Sequence, residues 1–131
     1  MPKTTQLKKT PLRRRSKNKK AILLRRAVIV FNAWIRERDR VKLKGRCYTC
    51  HREGSEAGHW KHSCKSLKFN EKTVHLQCGY CNRWLSGNLA VYTLRLIDEY
   101  GLEIVKQLEK KSVGTHNFNI NELQEIIKKY G

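Results

Sequence analysis

Acid is scarce in this chain: eleven Asp and Glu stand against 29 Lys and Arg in 131 residues, a formal charge of +18. The first 26 residues hold no acid at all. Long apolar runs are missing too. No stretch of about 18 uncharged apolar residues occurs, which excludes a transmembrane helix. The apolar stretch 21–35 is interrupted by Arg25 and Arg26, and no small-residue cleavage site follows it, so a signal peptide is not expected. Proline is confined to Pro2 and Pro11, and no internal repeat is evident. The hydrophobic fraction of 39% is low for a self-supporting core of this size, so a staple such as a metal is expected. The length permits one compact domain plus a tail. These absences leave a soluble protein of the cell interior with a polyanionic partner and no membrane span.

The charge is concentrated near the start. Residues 1–46 contain 17 basic and two acidic residues, so 15 of the 18 excess charges lie there. Eleven Lys and Arg fall within residues 1–26. A segment of this kind repels itself and buries little, so residues 1–17 are expected to form a disordered DNA-binding tail. Neutralising phosphates and releasing counterions would give salt-dependent binding to nucleic acid. The candidate phosphate contacts are Arg13, Arg14, Arg15, Lys17, Lys19, Lys20, Arg25 and Arg26. A basic amphipathic helix on a membrane surface, using Leu23 and Leu24 beside Arg25 and Arg26, is the lesser competitor.

The periodicity predicts a helix over 18–39, with Asn18 at its cap. Leu24, Ala27 or Val28, Phe31, Trp34 and Ile35 form its packing stripe. Phe31 and Trp34 read as core anchors rather than base-stacking platforms. Residues 72–77 read as a strand, with Val74 and Leu76 on one face and Thr73, His75 and Gln77 on the other. Helix returns over 82–111, where Gly101 is a stop signal. A loop over 112–119 then precedes a short helix starting at Asn121, with Gln124 at the reciprocal capping position. The domain plan is thus a tail over 1–17, a stapled core over 18–111, and a loop with a terminal helix over 112–131.

Four of the five cysteines form two Cys-x-x-Cys knuckles, Cys47–Cys50 and Cys78–Cys81. Two such turns can direct four thiolates at one ion, the closed tetrahedral arrangement of structural Zn²⁺. Disulfides do not suit an intracellular chain, and a redox pair would need a βαβ setting that is absent. Cys64 reads as a small buried or tolerated thiol. Between and beside the knuckles lie Glu56, His59, His62, His75 and Asn82. With four thiolates closing the zinc site, these residues are free for other work. A neutral imidazole can take a proton from water near pH 7. Oxygen donors and imidazole can hold a divalent ion open to a phosphate. Packing, or alternative zinc ligation, is the plain reading of the same histidines.

The arrangement resembles the zinc-knuckle branch of the HNH nucleases, also called ββα-metal or His-Me finger enzymes. More narrowly, Ala57-Gly58-His59-Trp60, Leu67-Lys68-Phe69-Asn70-Glu71, Val74-His75, Gln77-Cys78, Cys81-Asn82-Arg83 and Ser86-Gly87-Asn88 resemble the phage lambda NinG family, or Rap recombination endonucleases. Trp34-Ile35-Arg36 and Arg38-Asp39 upstream, and Tyr92, Leu96-Ile97 and Tyr100-Gly101 downstream, fit the same family, so the resemblance covers about residues 28–111. It implies an α+β fold: a small zinc-stapled ββα-metal core with a long N-terminal helix and C-terminal helices. It also implies a phage or prophage enzyme, acting in the cytoplasm of the bacterial host, that hydrolyses branched DNA such as D-loops and Holliday junctions with Mg²⁺ or Mn²⁺. By position, His59 would be the general base and Asn82 a ligand of the catalytic ion, while Cys47, Cys50, Cys78 and Cys81 hold zinc.

Two positions depart from the pattern. Many HNH enzymes place a metal-binding Asp or His directly before the catalytic His, where this chain has Gly58. The NinG family tends to carry Gly there, with an acid two residues further back, which is Glu56. Glu56 and His75 are therefore the candidates for the second protein ligand, His75 being slightly preferred. The family also often has Asn where this chain has Thr73. Lys61 and Arg83 join the candidate DNA contacts, and His62 reads as a surface or phosphate-contacting residue. Branch selectivity would come from shape, because no recognition helix for base readout is evident. A homodimer would suit a four-way junction, since two symmetric nicks need two sites. The C-terminal helices could supply that interface or pack within the chain. The alternative function is a non-catalytic zinc-ribbon protein that binds nucleic acid, such as a phage regulator.

Overall fold

The computed structural model describes residues 12–131; of the tail expected to be disordered over 1–17, residues 1–11 lie outside the described residues and residues 12–17 are helical. The fold is α+β. Helix α1 (Leu12–Lys42) is followed by strands β1 (Glu56–His59) and β2 (Val74–Gln77) and a π-helical turn (Tyr80–Trp84). Helices α2 (Leu89–Tyr100), α3 (Leu102–Ser112) and α4 (Ile120–Tyr130) complete it. Among the described residues no helix is long and apolar enough to cross a membrane.

Helix α1 starts six residues before the expected cap, so Asn18 lies inside it. Arg and Lys are good helix formers, and no proline follows Pro11 to stop the winding. Its buried line is Leu23, Ala27, Phe31, Ile35 and Asp39, every fourth residue. Steps of four advance about 40° each around a helix of 3.6 residues per turn. The line therefore turns as it runs. Leu23 and Ala27 pack with Leu123 of α4, whereas Phe31 and Ile35 pack on Val74 of the hairpin. Leu24, expected in the stripe, is only half-buried, while Leu23 is covered.

Asp39 ends this apolar line and is fully buried. Its carboxylate accepts from the Leu76 amide at 2.8 Å and pairs with Arg38 at 2.8 Å. Arg38 in turn donates to the carbonyls of Glu71 and Val74, at 2.8 and 2.9 Å. The two residues clamp β2 to the end of α1. Asp39→Ala would leave the buried Leu76 amide without its acceptor and the Arg38 guanidinium without its carboxylate, so a loss of about 3–5 kcal/mol is expected. Denaturant melts measure it, and an unchanged midpoint would show that the clamp does not hold the hairpin.

The strands pair antiparallel, Glu56 with Gln77, Gly58 with His75 and His59 with Val74. All four residues of β2 are buried, so both faces of the strand are covered. Val74 meets α1, while His75 lies under Tyr92 and Tyr48. The expected long second helix is divided at Gly101, whose φ of 88° and ψ of 156° suit glycine alone. The last helix is capped by Asn119 rather than Asn121. Its side chain accepts from the Glu122 amide, and the Glu122 carboxylate accepts from the Asn119 amide. An acid at the third helical position makes the better reciprocal box.

Candidate functional site

The four cysteine sulfurs of the two knuckles lie within 4.8 Å of one another. Zinc with bonds of about 2.3 Å in a tetrahedron needs sulfurs about 3.8 Å apart, and Cys50 Sγ is 3.5 Å from Cys78 Sγ. The set fits structural zinc. Donors already surround the sulfurs: the Cys81 amide reaches Cys78 Sγ at 3.4 Å and Asn88 Nδ2 reaches Cys81 Sγ at 3.7 Å. Burial pushes the Cys47 thiol up, but the Thr49 hydroxyl and backbone amides outweigh it and bring it down to about 6. A thiolate ready to bind metal needs such donors.

The cluster fixes what stands on either side of it. The first knuckle closes through His51, which takes a left-handed φ of 65°, and its Tyr48 amide bonds to Leu76 of β2 at 2.8 Å. The second knuckle runs straight into the π-helical turn, so Asn82 follows a zinc ligand directly. Three residues with positive φ, Ser86, Gly87 and Asn88, then turn the chain into α2. Gly87, at φ 95°, has His62 Nε2 only 3.1 Å from where a Cβ would stand and the His59 carbonyl 3.4 Å away. This glycine brings the hairpin loop and the turn after the knuckle into contact.

Asn82 Nδ2 donates to Glu56 Oε1 at 3.1 Å, which joins the π-helical turn to the head of β1. Arg83 pairs with the other Glu56 oxygen at 3.1 Å. Beside them an open cleft of about 700 Å³ is lined by Trp60, Lys61, His62, Asn82, Arg83, Ser86 and Leu89, among others. Lys61 also pairs with Glu109 at 3.0 Å. The structure thus gathers Glu56, Asn82, Lys61 and Arg83 from the sequence candidates, and His62, read from the sequence as a surface or phosphate-contacting residue, lines the cleft with them.

His59 ends β1 but is not among the cleft-lining residues. One ring nitrogen, Nε2, lies 3.0 Å from the Lys68 carbonyl. A carbonyl only accepts, so Nε2 carries the proton and Nδ1 the lone pair. Burial pushes the imidazole below its ordinary pKa, against the pull of the Lys68 carbonyl, with the Lys68 and His62 charges adding to the downward shift.

His75 is not placed as a metal ligand. It is fully buried and stacks on Tyr48 at 3.8 Å, with Nδ1 3.0 Å from the Tyr92 hydroxyl and Nε2 3.6 Å from Glu99. Burial and the charges of Arg38 and Lys42 push it down to about 2, so it stays neutral. The alternation placing it opposite Val74 was right about the face but silent about what covered it. The same Tyr92 hydroxyl contacts the carbonyls of Gly58 and Thr73, at 2.9 and 3.1 Å, pinning both strands to α2. The Thr73 hydroxyl itself reaches only the Asn70 carbonyl, at 3.5 Å.

Gln77 explains Gly58. Its Nε2 donates to the Gly87 carbonyl at 2.9 Å and to Thr49 Oγ1 at 3.1 Å, which fixes the amide's orientation. The Gln77 amide then lies over Gly58: a Cβ there would sit on its oxygen and 2.6 Å from Cδ. No metal-binding side chain fits at position 58. Gly58→Asp is expected to lose about 2 kcal/mol or more through overpacking. Gly58→Asp with Gln77→Ala should recover part of that loss in thermal melts. Equal stability of both variants would show that Gln77 does not seal the position.

Of the basic residues on α1, Arg15, Lys17, Lys19, Arg25 and Arg26 are exposed and Lys20 half-exposed; the side chains of Arg13 and Arg14 lie outside the described residues. They stand on the half of the helix that packs on α4. Cys64 is half-buried, between the Ser66 hydroxyl and the Ser112 carbonyl, and apart from the thiolate cluster.

The sequence that builds this assembly, a short hairpin joined by four cysteines to a turn bearing Asn82, is similar to those of phage proteins. A family model described as "Bacteriophage Lambda NinG protein" matches residues 2–131, and the chain belongs to that NinG family. It is 33% identical over 124 residues to Protein ninG of Escherichia phage lambda, covering 93% of this chain and 60% of that protein. Protein ninG of Escherichia phage 933W is 32% identical and that of Salmonella phage P22 is 31% identical, each over 93% of this chain and 61% of theirs. The chain spans about three fifths of the length of these curated relatives. No solved structure matches.

Proposed function

We propose that this chain is a divalent-metal-dependent endonuclease that hydrolyses phosphodiesters in branched DNA during phage recombination, with its hairpin and π-helical turn acting as an HNH-like core. The observation that carries the reading is the 3.1 Å contact between Asn82 and Glu56. It holds the Glu56 carboxylate and the Asn82 amide side by side next to a basic cleft, braced by the cysteine cluster; Asn82 now presents Nδ2, so binding a cation requires its amide to turn and offer the oxygen. These are hard oxygen donors, and with a substrate phosphate and water they suit Mg²⁺ or Mn²⁺. A divalent cation bound there would polarise the phosphate and offset charge on the departing 3′ oxygen.

The chain's own residues supply the rest. His59, neutral at pH 7, takes a proton from water at Nδ1 as the water oxygen bonds to phosphorus and the bond to the 3′ oxygen breaks. Lys68, through its carbonyl, holds the ring in the tautomer this needs. Lys61, His62 and Arg83 line the cleft and meet the phosphates, and the basic face of α1 follows the backbone with salt-dependent affinity. Because Arg83 occupies one Glu56 oxygen, cation binding requires this exposed guanidinium to swing toward the DNA. Two copies on a four-way junction would make paired nicks.

A specific observation favours a second reading, a zinc-ribbon DNA binder without catalysis: Gln77 closes the position where many HNH enzymes carry their first metal ligand. Incubation of labelled four-way, D-loop and linear DNA with Mg²⁺, Mn²⁺ or EDTA separates the two. The proposal expects metal-dependent nicking of the branched substrates, reduced in Glu56→Gln. Binding without cutting in any metal would support the ribbon.

A further inference from the structure

The chain has three tryptophans. Trp60 is buried and Trp34 packs edge-on against Tyr130, but Trp84 is 81% exposed. It stands on the π-helical turn, two residues after Asn82. Tyr80, at 54% exposed, lies four positions earlier, close to one turn of i→i+5 winding, so both rings emerge on nearly the same side. Leu85 and Leu89 extend this apolar surface to the lip of the cleft. Such a patch contributes nothing to the core and costs solubility, which marks it as a contact surface.

Cations are interleaved with these rings. Arg83 is 73% exposed between Asn82 and Trp84, reaching back to Glu56, and the Arg52 guanidinium lies 6.0 Å over the Tyr80 ring. Lys61 faces the same cleft. The turn is held at Cys81 by the cysteine cluster and, through Gly87, by the hairpin loop, so its aromatic rings have a fixed base. Rigid exposed rings alternating with guanidinium groups suit a nucleobase face flanked by phosphates. In continuous duplex the base faces are occupied by their neighbours; at a branch, gap or flap they are open.

We propose that Trp84, supported by Tyr80, stacks on an unpaired or unstacked base at the edge of the cleft, and that this stacking lets the chain distinguish discontinuous DNA from continuous duplex. The inference rests on the reading above only in taking DNA as the partner.

The test measures binding without cutting. The full zinc-loaded chain is titrated against four-way, gapped and linear DNA in buffer free of Mg²⁺ and Mn²⁺, with 2-aminopurine beside the branch. Wild type, Trp84→Ala and Trp84→Phe are compared after equal zinc content and melting have been established. Trp84→Ala should lose roughly tenfold or more in affinity for branched and gapped DNA, the scale of one lost stacking contact, with linear duplex little changed. Trp84→Phe should retain most of the preference, and wild type should quench the 2-aminopurine. An undiminished preference in Trp84→Ala would overturn the inference. So would an equal loss on every DNA, or a wild-type dimer that Trp84→Ala dissolves without altering preference, since the patch would then face a second copy. Cleavage is scored separately. Lost preference in Trp84→Ala, with wild type that never cuts, would retain stacking and remove the nuclease; retained preference in a cutting Trp84→Ala would do the opposite.

Discussion

Cys78→Ser is expected to abolish the cooperative melting of the hairpin domain. Two four-residue strands cannot hold themselves together in water. The thiolate cluster links the turns on both sides of them, and the Tyr48 amide bonds directly to Leu76. Structural zinc binding is worth about 10–16 kcal/mol in small domains, comparable with or larger than the whole stability of a typical one. Serine supplies no thiolate, so folding through this cluster is lost, while the α1–α4 contacts can retain helix. Near-ultraviolet circular dichroism of the tyrosines and Trp60, with zinc content alongside, measures the effect. A chelator should act on wild type in the same way. A Cys78→Ser protein with an unchanged transition in chelator would refute the role given to the cluster.

His59→Ala is expected to lose about 10²–10⁴-fold in cleavage, the range for a missing general base, while binding to branched DNA is retained. The ring's one hydrogen bond goes to the Lys68 carbonyl, at a loop, and because the residue is half-buried the two proteins are first matched for melting. The pH profile provides an independent check. A base works when deprotonated, so activity falls as pH drops through its pKa. Burial places that pKa below the usual imidazole value, and the acid limb of kcat/KM should therefore lie below about pH 6.5. An acid limb above that value would assign the proton to another group.

Several features of this architecture were legible in the residues. The Cys-x-x-Cys pairs announce their convergence because ligand chemistry allows few other uses, and the four sulfurs meet as expected. The apolar steps at Ala27, Phe31 and Ile35 in α1 and the glycine stop at Gly101 were readable for the same reason: each is a local rule. What escaped was tertiary. Nothing near His75 shows that Tyr48, from before the hairpin, and Tyr92, from after it, will enclose its ring. Asp39 looks like one more charge on a basic helix until the Leu76 amide is placed against it. Gly58 reads as a missing ligand, whereas in the fold it is the space that the Gln77 amide occupies. The capping signal of Asn121 with Gln124 marks the last helix but starts it too late, because Asn119 with Glu122 makes the same box two residues earlier and closes it with a carboxylate.

The central claim is that the chain cuts DNA with His59 as base. It is tested most directly by incubating wild type and His59→Ala side by side with an end-labelled four-way junction, in Mg²⁺ and in EDTA, scoring nicks and bound complex from the same samples. The account predicts nicking by wild type in Mg²⁺ alone, none by His59→Ala, and equal amounts of complex for both. Equal nicking by the two proteins, or complex without nicks in any sample, would contradict it.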